Sequence, residues 1–213
     1  MKSKTESGRK KVFSKTVLNN FEQSLSSAFG KEKATLIFDR ATSILFSELN
    51  SMHDRGNIVV RKHIRAFILP GFAGYKALIE SGINTGEAFD FIRKELNKTA
   101  SREGKIMNKF QNFPFAFGIL RFLIKPIIKY GFPKEGWTVI WKENSRKRIS
   151  FDMVSCLYCE ELKIRNAFEL CPAFCETDHV SYDPLFPKIV FKRSCTLAQP
   201  GKKVCDFCFE KGV

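Results

Sequence analysis

The sequence predicts an α+β protein, in which an N-terminal helical region is followed by an antiparallel sheet with a helical insertion. Apolar residues recur at helical spacing up to about residue 130, whereas they alternate with polar residues after Gly131. No internal repeat is apparent. We therefore predict a disordered basic tail over residues 1–15 and a single domain over 16–213, helical to about 130 and sheet-forming from about 131.

Glycine, proline and capping residues divide the helical region. Pro70 is expected to end or kink one helix, and Gly82 is expected to stop the next. Asn84, followed three residues later by Glu87, forms an N-terminal capping signal. The predicted helices cover residues 34–49, 59–69, 72–81, 85–110 and 113–130.

The last of these helices carries Arg121, Lys125 and Lys129, spaced four residues apart. Such a stripe either solvates the outer face of a helix whose phenylalanines are buried, or attaches the helix to an acidic membrane surface. We favour the solvated face. The longest uncharged run in this segment is too short to span a membrane.

The sheet region begins with alternation at Trp137, Val139 and Trp141, and Asn144-Ser145 suits a hairpin turn to a second strand over residues 149–153. A helical interval is predicted at about 160–179. Strands at 189–198 and 204–209 follow, and the turn at 199–202 makes them antiparallel neighbours.

The net charge of +14 suggests nucleic acid or an anionic membrane as a partner, but its distribution argues against nucleic acid. Residues 1–150 carry 28 Lys and Arg against 13 Asp and Glu, whereas residues 151–213 carry 8 against 9. All seven cysteines lie in the second, neutral part. A zinc module that binds phosphates would usually be basic itself, so we expect no nucleic-acid partner.

The cysteines predict a reducing compartment. The N-terminus is basic and polar with no apolar segment typical of a signal peptide, and an odd cysteine count fits a disulfide framework poorly. We therefore expect a cytoplasmic protein with free thiols.

Zinc binding is disfavoured although the chain contains two Cys-x-x-Cys pairs, at 156–159 and 205–208. Both pairs lie in strand-like runs, where residues three apart point to opposite faces. Buried cysteine packs as a small apolar side chain, which is the simpler interpretation of Cys156, Cys159, Cys195 and Cys205. We predict no metal and no cofactor.

Cys175 is the best candidate for a nucleophile. Pro172 suits the first turn of a helix on which Cys175, Asp178 and His179 share one face. A nearby histidine or a helix N-terminus would lower the pKa of the thiol. The alternative is that His179 only caps the helix or faces water.

Arg193 lies among apolar residues of a predicted strand and therefore needs an anionic partner. Asp206 on the neighbouring strand would serve as a structural partner. A substrate carboxylate, held by two hydrogen bonds from the guanidinium, would serve equally well.

Five segments together resemble the L-2-amino-thiazoline-4-carboxylic acid hydrolase family, from about His63 to Phe209. They are RKHIRAFILPGFAGYKAL, GFPKEGW, SCLY, FELCPAFCETD and FKRSCTLAQPGKKVCDF. The resemblance implies hydrolysis of the carbon–sulfur bond of a small cyclic amidine that carries a carboxylate, giving an N-carbamoyl-cysteine on the route to cysteine.

With this substrate, Arg193 would hold the carboxylate, with Thr196 as a secondary donor, and Asp178 or Asp206 would bind the amidinium. Attack by Cys175 or Cys205, or by water activated by an aspartate or His179, remain alternatives. A domain that binds a small acid or senses redox state without catalysis is the competing hypothesis.

Overall fold

The computed structural model describes residues 12–213. The predicted tail at residues 1–15 lies mostly outside this range. Within its last four residues, however, Phe13 is buried, with 2% of its surface exposed, and its ring contacts those of Phe21 and Phe38.

The chain forms two compact units. In the described residues the first unit comprises 12–56 and 61–99, and the second comprises 57–60 and 100–213. The prediction of one domain over 16–213 stays a prediction. The helices are α1 (Phe21–Phe29), α2 (Lys31–Ser51), α3 (Ile58–His63), α4 (Leu69–Glu80), α5 (Thr85–Gln111), α6 (Ala116–Gly131), α7 (Leu157–Ile164) and α8 (Cys171–Tyr182). The strands are β1 (Trp137–Asn144), β2 (Arg148–Cys156), β3 (Ile189–Lys192) and β4 (Cys205–Lys211).

The α+β prediction is confirmed, and several local signals acted as expected. Helix α2 buries Ile37, Ala41 and Leu45 of its predicted stripe. The side chain of Asn84 caps α5 by accepting a hydrogen bond from the Glu87 backbone at 2.9 Å.

Pro70 leaves one backbone carbonyl of the first unit without its helical hydrogen bond. A π-helical turn (Ile64–Ile68) precedes α4, and Pro70 lies in the first turn of that helix. Because proline has no backbone N–H, the carbonyl of Ala66, four residues earlier, is left open. The backbone N–H of Val17 donates to that carbonyl at 2.8 Å, which fastens the N-terminal segment to this unit.

The second unit contains the sheet, with strand order β1-β2-β4-β3 and every neighbouring pair antiparallel. The predicted hairpin between β1 and β2 is confirmed. In the centre of the sheet the rings of Phe151 and Phe207 stack with centroids 5.1 Å apart. Tyr182 of α8 packs its ring against Phe191 and Phe209, so α8 lies on this face of the sheet.

Three local expectations were wrong. Strand β3 ends at Lys192 rather than continuing to residue 198, because the Asp206 carboxylate accepts hydrogen bonds from the Ser194 and Cys195 backbone N–H groups in place of a strand partner. The pair 156–159 does not lie within one strand, since Cys156 is the last residue of β2 and Cys159 lies in α7, which begins at Leu157. On α6 the phenylalanines are not all buried, for Phe122 is 80% exposed.

Among residues 12–213, no helix combines the length and apolar character needed to cross a membrane.

Candidate functional site

The candidate site lies in the second unit, where α8 meets the segment that follows β3. Pro172 occupies the first turn of α8, where its missing N–H costs no helical hydrogen bond. The helix then carries Cys175 and Asp178 on one face, one turn apart. Both meet the side chain of Arg193.

Arg193 is the centre of this arrangement. Its side chain is only 4% exposed and forms an ion pair with the Asp178 carboxylate. Its second terminal nitrogen donates to the backbone carbonyl of Cys175 at 2.5 Å, and the guanidinium lies 5.4 Å from the centre of the Phe207 ring. The buried arginine therefore has the anionic partner that the sequence demanded, but that partner is Asp178 rather than Asp206.

Two opposing effects act on Asp178. Burial raises the pKa of this carboxyl above its ordinary value, while the charge and hydrogen bond of Arg193 pull it downwards. Burial prevails, so the carboxyl is easier to protonate than a free aspartate. A carboxyl of this kind suits proton transfer as well as charge pairing.

Four cysteines form a row that ends at this ion pair. The sulfurs of Cys159 and Cys171 are 3.0 Å apart. Cys156 hydrogen-bonds to Cys159 at one end, and Cys171 hydrogen-bonds to Cys175 at the other. All are free thiols. The sequence assigned Cys156 and Cys159 to simple core packing, whereas the structure joins them to the candidate nucleophile.

The thiols of the row differ in acidity because of the hydrogen bonds that they accept. Hydrogen bonds from Cys156 and Cys171 lower the pKa of Cys159 to about 4. The single S–H of Cys171 can donate to Cys159 or to Cys175, but not to both at once. Its hydrogen bond to Cys175, followed by the charge of Arg193, outweighs burial and lowers the pKa of Cys175. The thiols that donate these hydrogen bonds shift in the opposite direction, so the pKa values of Cys156 and Cys171 are raised.

Cys205 has the higher thiol pKa of the two candidate nucleophiles. Burial raises the pKa of its thiol to about 12, although its sulfur accepts a hydrogen bond from the Leu197 backbone at 3.1 Å. The charges of Cys175 and Arg193 also act on this thiol, so Cys205 belongs to the same neighbourhood. Its electrostatics favour the neutral thiol, whereas those of Cys175 favour the thiolate.

The structure gives the remaining predicted residues other contacts. Asp206 holds the segment after β3, with its carboxylate 2.6 Å from the Cys195 backbone nitrogen and 2.6 Å from the Ser194 hydroxyl. His179 pairs with Asp183 at 3.2 Å and packs against the ring of Phe191. Thr196 is buried, and its backbone N–H donates to the Gln199 side chain at 3.1 Å.

Sequence reasoning missed two polar groups near Asp178. Burial raises the pKa of the Tyr158 hydroxyl, and the charges of Asp178 and Glu103 act in the same direction. Glu103 accepts a hydrogen bond from Ser181 of α8 at 3.4 Å. Tyr158 lies in the SCLY segment and could have been found there. Glu103 lies on the distant helix α5, and no local motif marks it.

No metal cluster competes with this site in the part of the chain that the structure describes. Within residues 12–213, no group of three or more His, Cys, Asp or Glu side chains is arranged to hold a metal ion. A surface cleft of about 640 Å³ at the junction of α1 and α2 belongs to the first unit and is lined by none of the predicted site residues.

Fold and site together define an α+β protein in which a row of thiols ends at a buried arginine side chain paired with a partly exposed aspartate. The model of the L-2-amino-thiazoline-4-carboxylic acid hydrolase family matches residues 61–209, well over half of the chain. The chain belongs to this family. No curated protein and no solved structure matches it significantly.

Proposed function

We propose that this protein hydrolyses the carbon–sulfur bond of a small cyclic amidine acid of the 2-amino-thiazoline-4-carboxylate type. The observation that carries the proposal is the meeting of Cys175, Asp178 and Arg193 in one member of this family. These residues supply a nucleophile, a carboxyl for proton transfer or amidinium binding, and a cation for the substrate carboxylate.

Substrate binding follows from the charges. A guanidinium has five N–H donors, and the hydrogen bonds of Arg193 to Asp178 and to the Cys175 carbonyl leave others for a carboxylate. The Asp178 carboxylate would attract the protonated amidine of the same ring. Thr196 remains a secondary donor in this proposal. The small-molecule substrate would carry the carboxylate that Arg193 binds. The product would be an N-carbamoyl-cysteine.

The covalent route has two steps. The Cys175 thiolate attacks the ring carbon between the sulfur and the nitrogens, and the bond from that carbon to the ring sulfur breaks. The sulfur leaves with the electron pair and takes a proton. Water then attacks the same carbon and expels the Cys175 thiolate, so the reaction consumes one water. The lowered pKa of Cys175 supports this route over attack by Cys205.

The direct route uses one water and no covalent adduct. Asp178 would remove a proton from the water as it attacks the ring carbon, and its raised pKa supports that role. The bond from that carbon to the ring sulfur then breaks, and the sulfur leaves with the electron pair and takes up a proton. His179 is the alternative base. Cys175→Ala distinguishes the two routes, because it abolishes the covalent route and leaves direct hydrolysis in place.

A second candidate function rests on the 3.0 Å separation of the Cys159 and Cys171 sulfurs. A small-acid-binding domain on the same fold could use this pair to sense oxidants. Binding of the acid without turnover, together with oxidation of this pair by hydrogen peroxide, would favour the sensor.

The test is release of a small-molecule thiol from L-2-amino-thiazoline-4-carboxylate. The protein is removed by filtration before thiol titration, because its own seven cysteines would react. We expect Arg193→Ala to lower kcat/KM about 10- to 100-fold, since a hydrogen bond to a charged group is worth about 1.5–3 kcal/mol. Arg146→Ala, at an exposed arginine of the β1–β2 turn, is the matched control. Absence of thiol above the buffer blank would contradict the proposal.

A further inference from the structure

Helix α6 exposes an apolar face that the proposed reaction does not use. Its buried side carries Ala116, Phe117, Ile124 and Ile128. The opposite side is open to solvent, with Phe122 80%, Tyr130 69% and Ile127 49% exposed. We define the α6 apolar face as the exposed residues Phe115, Ile119, Phe122, Leu123, Ile127 and Tyr130.

A basic strip runs along one edge of this face. Arg121, Lys125 and Lys129 succeed one another at four-residue intervals, between the buried side and the α6 apolar face. Lys129 lies 5.6 Å from the centre of the Tyr130 ring, and Lys125 lies 5.5 Å from that of Trp141. Basic side chains thus stand beside aromatic rings along this edge, an arrangement typical of the boundary between lipid and water.

The surrounding sequence is also one-sided in charge. Residues 104–134, with both ends counted, include six Lys and Arg residues and no Asp or Glu. A soluble helix that only solvates its outer face would alternate charges of both signs or present polar residues there. Here the exposed face is apolar and its edge is cationic.

We propose that α6 docks the protein on an anionic lipid surface, with the α6 apolar face in the interfacial layer and the basic strip against the lipid headgroups. The combination of an apolar face and a cationic edge favours an anionic lipid surface over a second copy of the chain or a nucleic acid. A second copy of the chain would bring an identical basic strip to the same surface. A nucleic acid would use the lysines and arginine but would leave the aliphatic residues in water.

The binding experiment uses the full chain and vesicles of phosphatidylcholine with or without phosphatidylglycerol. We expect cosedimentation with the anionic vesicles that weakens as salt rises. Phe122→Gln with Ile127→Gln should weaken binding at least about 10-fold, since it removes two apolar side chains that the lipid would otherwise bury. Ile140→Gln with Ile164→Gln, at residues 53% and 71% exposed elsewhere in the same unit, should bind as the parent does.

The charge contribution is tested separately. Lys125→Gln with Lys129→Gln should remove most of the preference for anionic vesicles, whereas Lys202→Gln with Lys203→Gln, at exposed lysines between β3 and β4, should retain it. A tryptophan placed by Phe122→Trp should be quenched by brominated lipids. Far-UV circular dichroism and thermal unfolding establish that each variant is folded.

Three results would overturn the proposal. One is absence of binding to anionic vesicles, and another is equal loss of binding in the α6 variant and its Ile140/Ile164 control. The third is a dimer detected by light scattering that Phe122→Gln with Ile127→Gln dissociates, because a second copy would then cover the face. Thiol release from the soluble substrate does not depend on α6, so failure here leaves the proposed reaction intact.

Discussion

The low pKa of the Cys175 thiol depends on Cys171, a neighbour one helical turn away that was not singled out from the sequence. When its single S–H points to Cys175 rather than to Cys159, Cys171 donates to Cys175, and this hydrogen bond is the largest influence that lowers the pKa of the Cys175 thiol. The two residues lie one turn apart at the start of α8. The helix therefore orients a donor towards the proposed nucleophile, and Cys171 acts as a positioning residue.

Replacing Cys171 should change the pH dependence of the Cys175 reaction. Cys171→Ala removes the donor, so we expect a higher pKa for Cys175 and slower alkylation by iodoacetamide near pH 7. Cys171→Ser keeps a hydrogen-bond donor and should alkylate at a rate close to the parent. Mass spectrometry of peptides alkylated at a series of pH values gives the pKa. Equal pKa values in the two variants would contradict the hydrogen-bond account.

Asp206 makes a separate contribution to stability. Burial tends to raise its pKa, but hydrogen bonds from the Ser194 hydroxyl and from the backbone N–H groups of Cys195 and Ser194 prevail and lower it to about 2. A depressed folded-state pKa stabilises the protein above the unfolded value of about 4, and that stability is lost as the pH falls towards 2.

We therefore expect Asp206→Asn to reduce the loss of stability between about pH 4 and pH 2. The difference should be about 1 kcal/mol, after allowance for solvent screening at this partly exposed site. Urea denaturation at several pH values measures it. Asp39→Asn, at an exposed aspartate of α2, should keep the parent's pH dependence. The same pH dependence in Asp206→Asn and the parent would contradict the assignment.

At the scale of elements, the close contact of α5 and α8 supports the site. A Cβ atom added at Gly104 of α5 would lie 2.6 Å from the backbone carbonyl oxygen of Val180 in α8. Backbone cannot move aside as a flexible side chain can. Glycine at this position therefore allows α8, which carries Cys175 and Asp178, to pack closely against α5.

Gly104→Ala should lower the free energy of unfolding by about 1–3 kcal/mol, as expected for overpacking. It should also reduce thiol release, because α8 would shift. Gly118→Ala is the control: this exposed glycine of α6 has its nearest neighbouring side chain 3.9 Å away, and alanine there should stabilise the helix by up to about 1 kcal/mol. Chemical denaturation measures both. A stable, fully active Gly104→Ala protein would contradict the packing argument.

The elements that the sequence predicted well have local causes. The Asn84 cap and the hairpin after Asn144 depend on residues close together in the chain. The length of β3 and the partner of Arg193 depend on carboxylates 11 or more residues away, at Asp206 and Asp178. The sequence offered two carboxylates, Asp178 and Asp206, as possible partners of Arg193. Which of them forms the ion pair depends on how α8 and β4 pack, and the sequence does not show that packing.

At the scale of the whole molecule, the amino-acid composition does not show which phenylalanines are buried and which are exposed. The chain has 22 of them, more than an ordinary core requires. In the first unit Phe13, Phe21 and Phe38 form one buried cluster. In the second unit Phe151 stacks on Phe207, while Phe122 remains exposed on α6. The same unit therefore contains both buried phenylalanines and an exposed one, and only the exposed ring is available for the proposed lipid contact.

Matched Phe→Ala substitutions in the second unit separate these functions. Phe151→Ala removes a ring that is 1% exposed, so we expect the free energy of unfolding to fall by about 3–5 kcal/mol. Phe122→Ala removes a ring that is 80% exposed, and the change should be within about 0.5 kcal/mol.

Urea denaturation followed by tryptophan fluorescence measures both, because Trp141 lies 4.9 Å from the Phe151 ring centre and reports this unit directly. The same two proteins should behave in the opposite order on anionic vesicles. Phe122→Ala would lose affinity there, while Phe151→Ala, assayed at a temperature where it is folded, would keep it. A large loss of stability in Phe122→Ala would place this ring in the packed core, and the exposed face of α6 would then no longer be available to lipid.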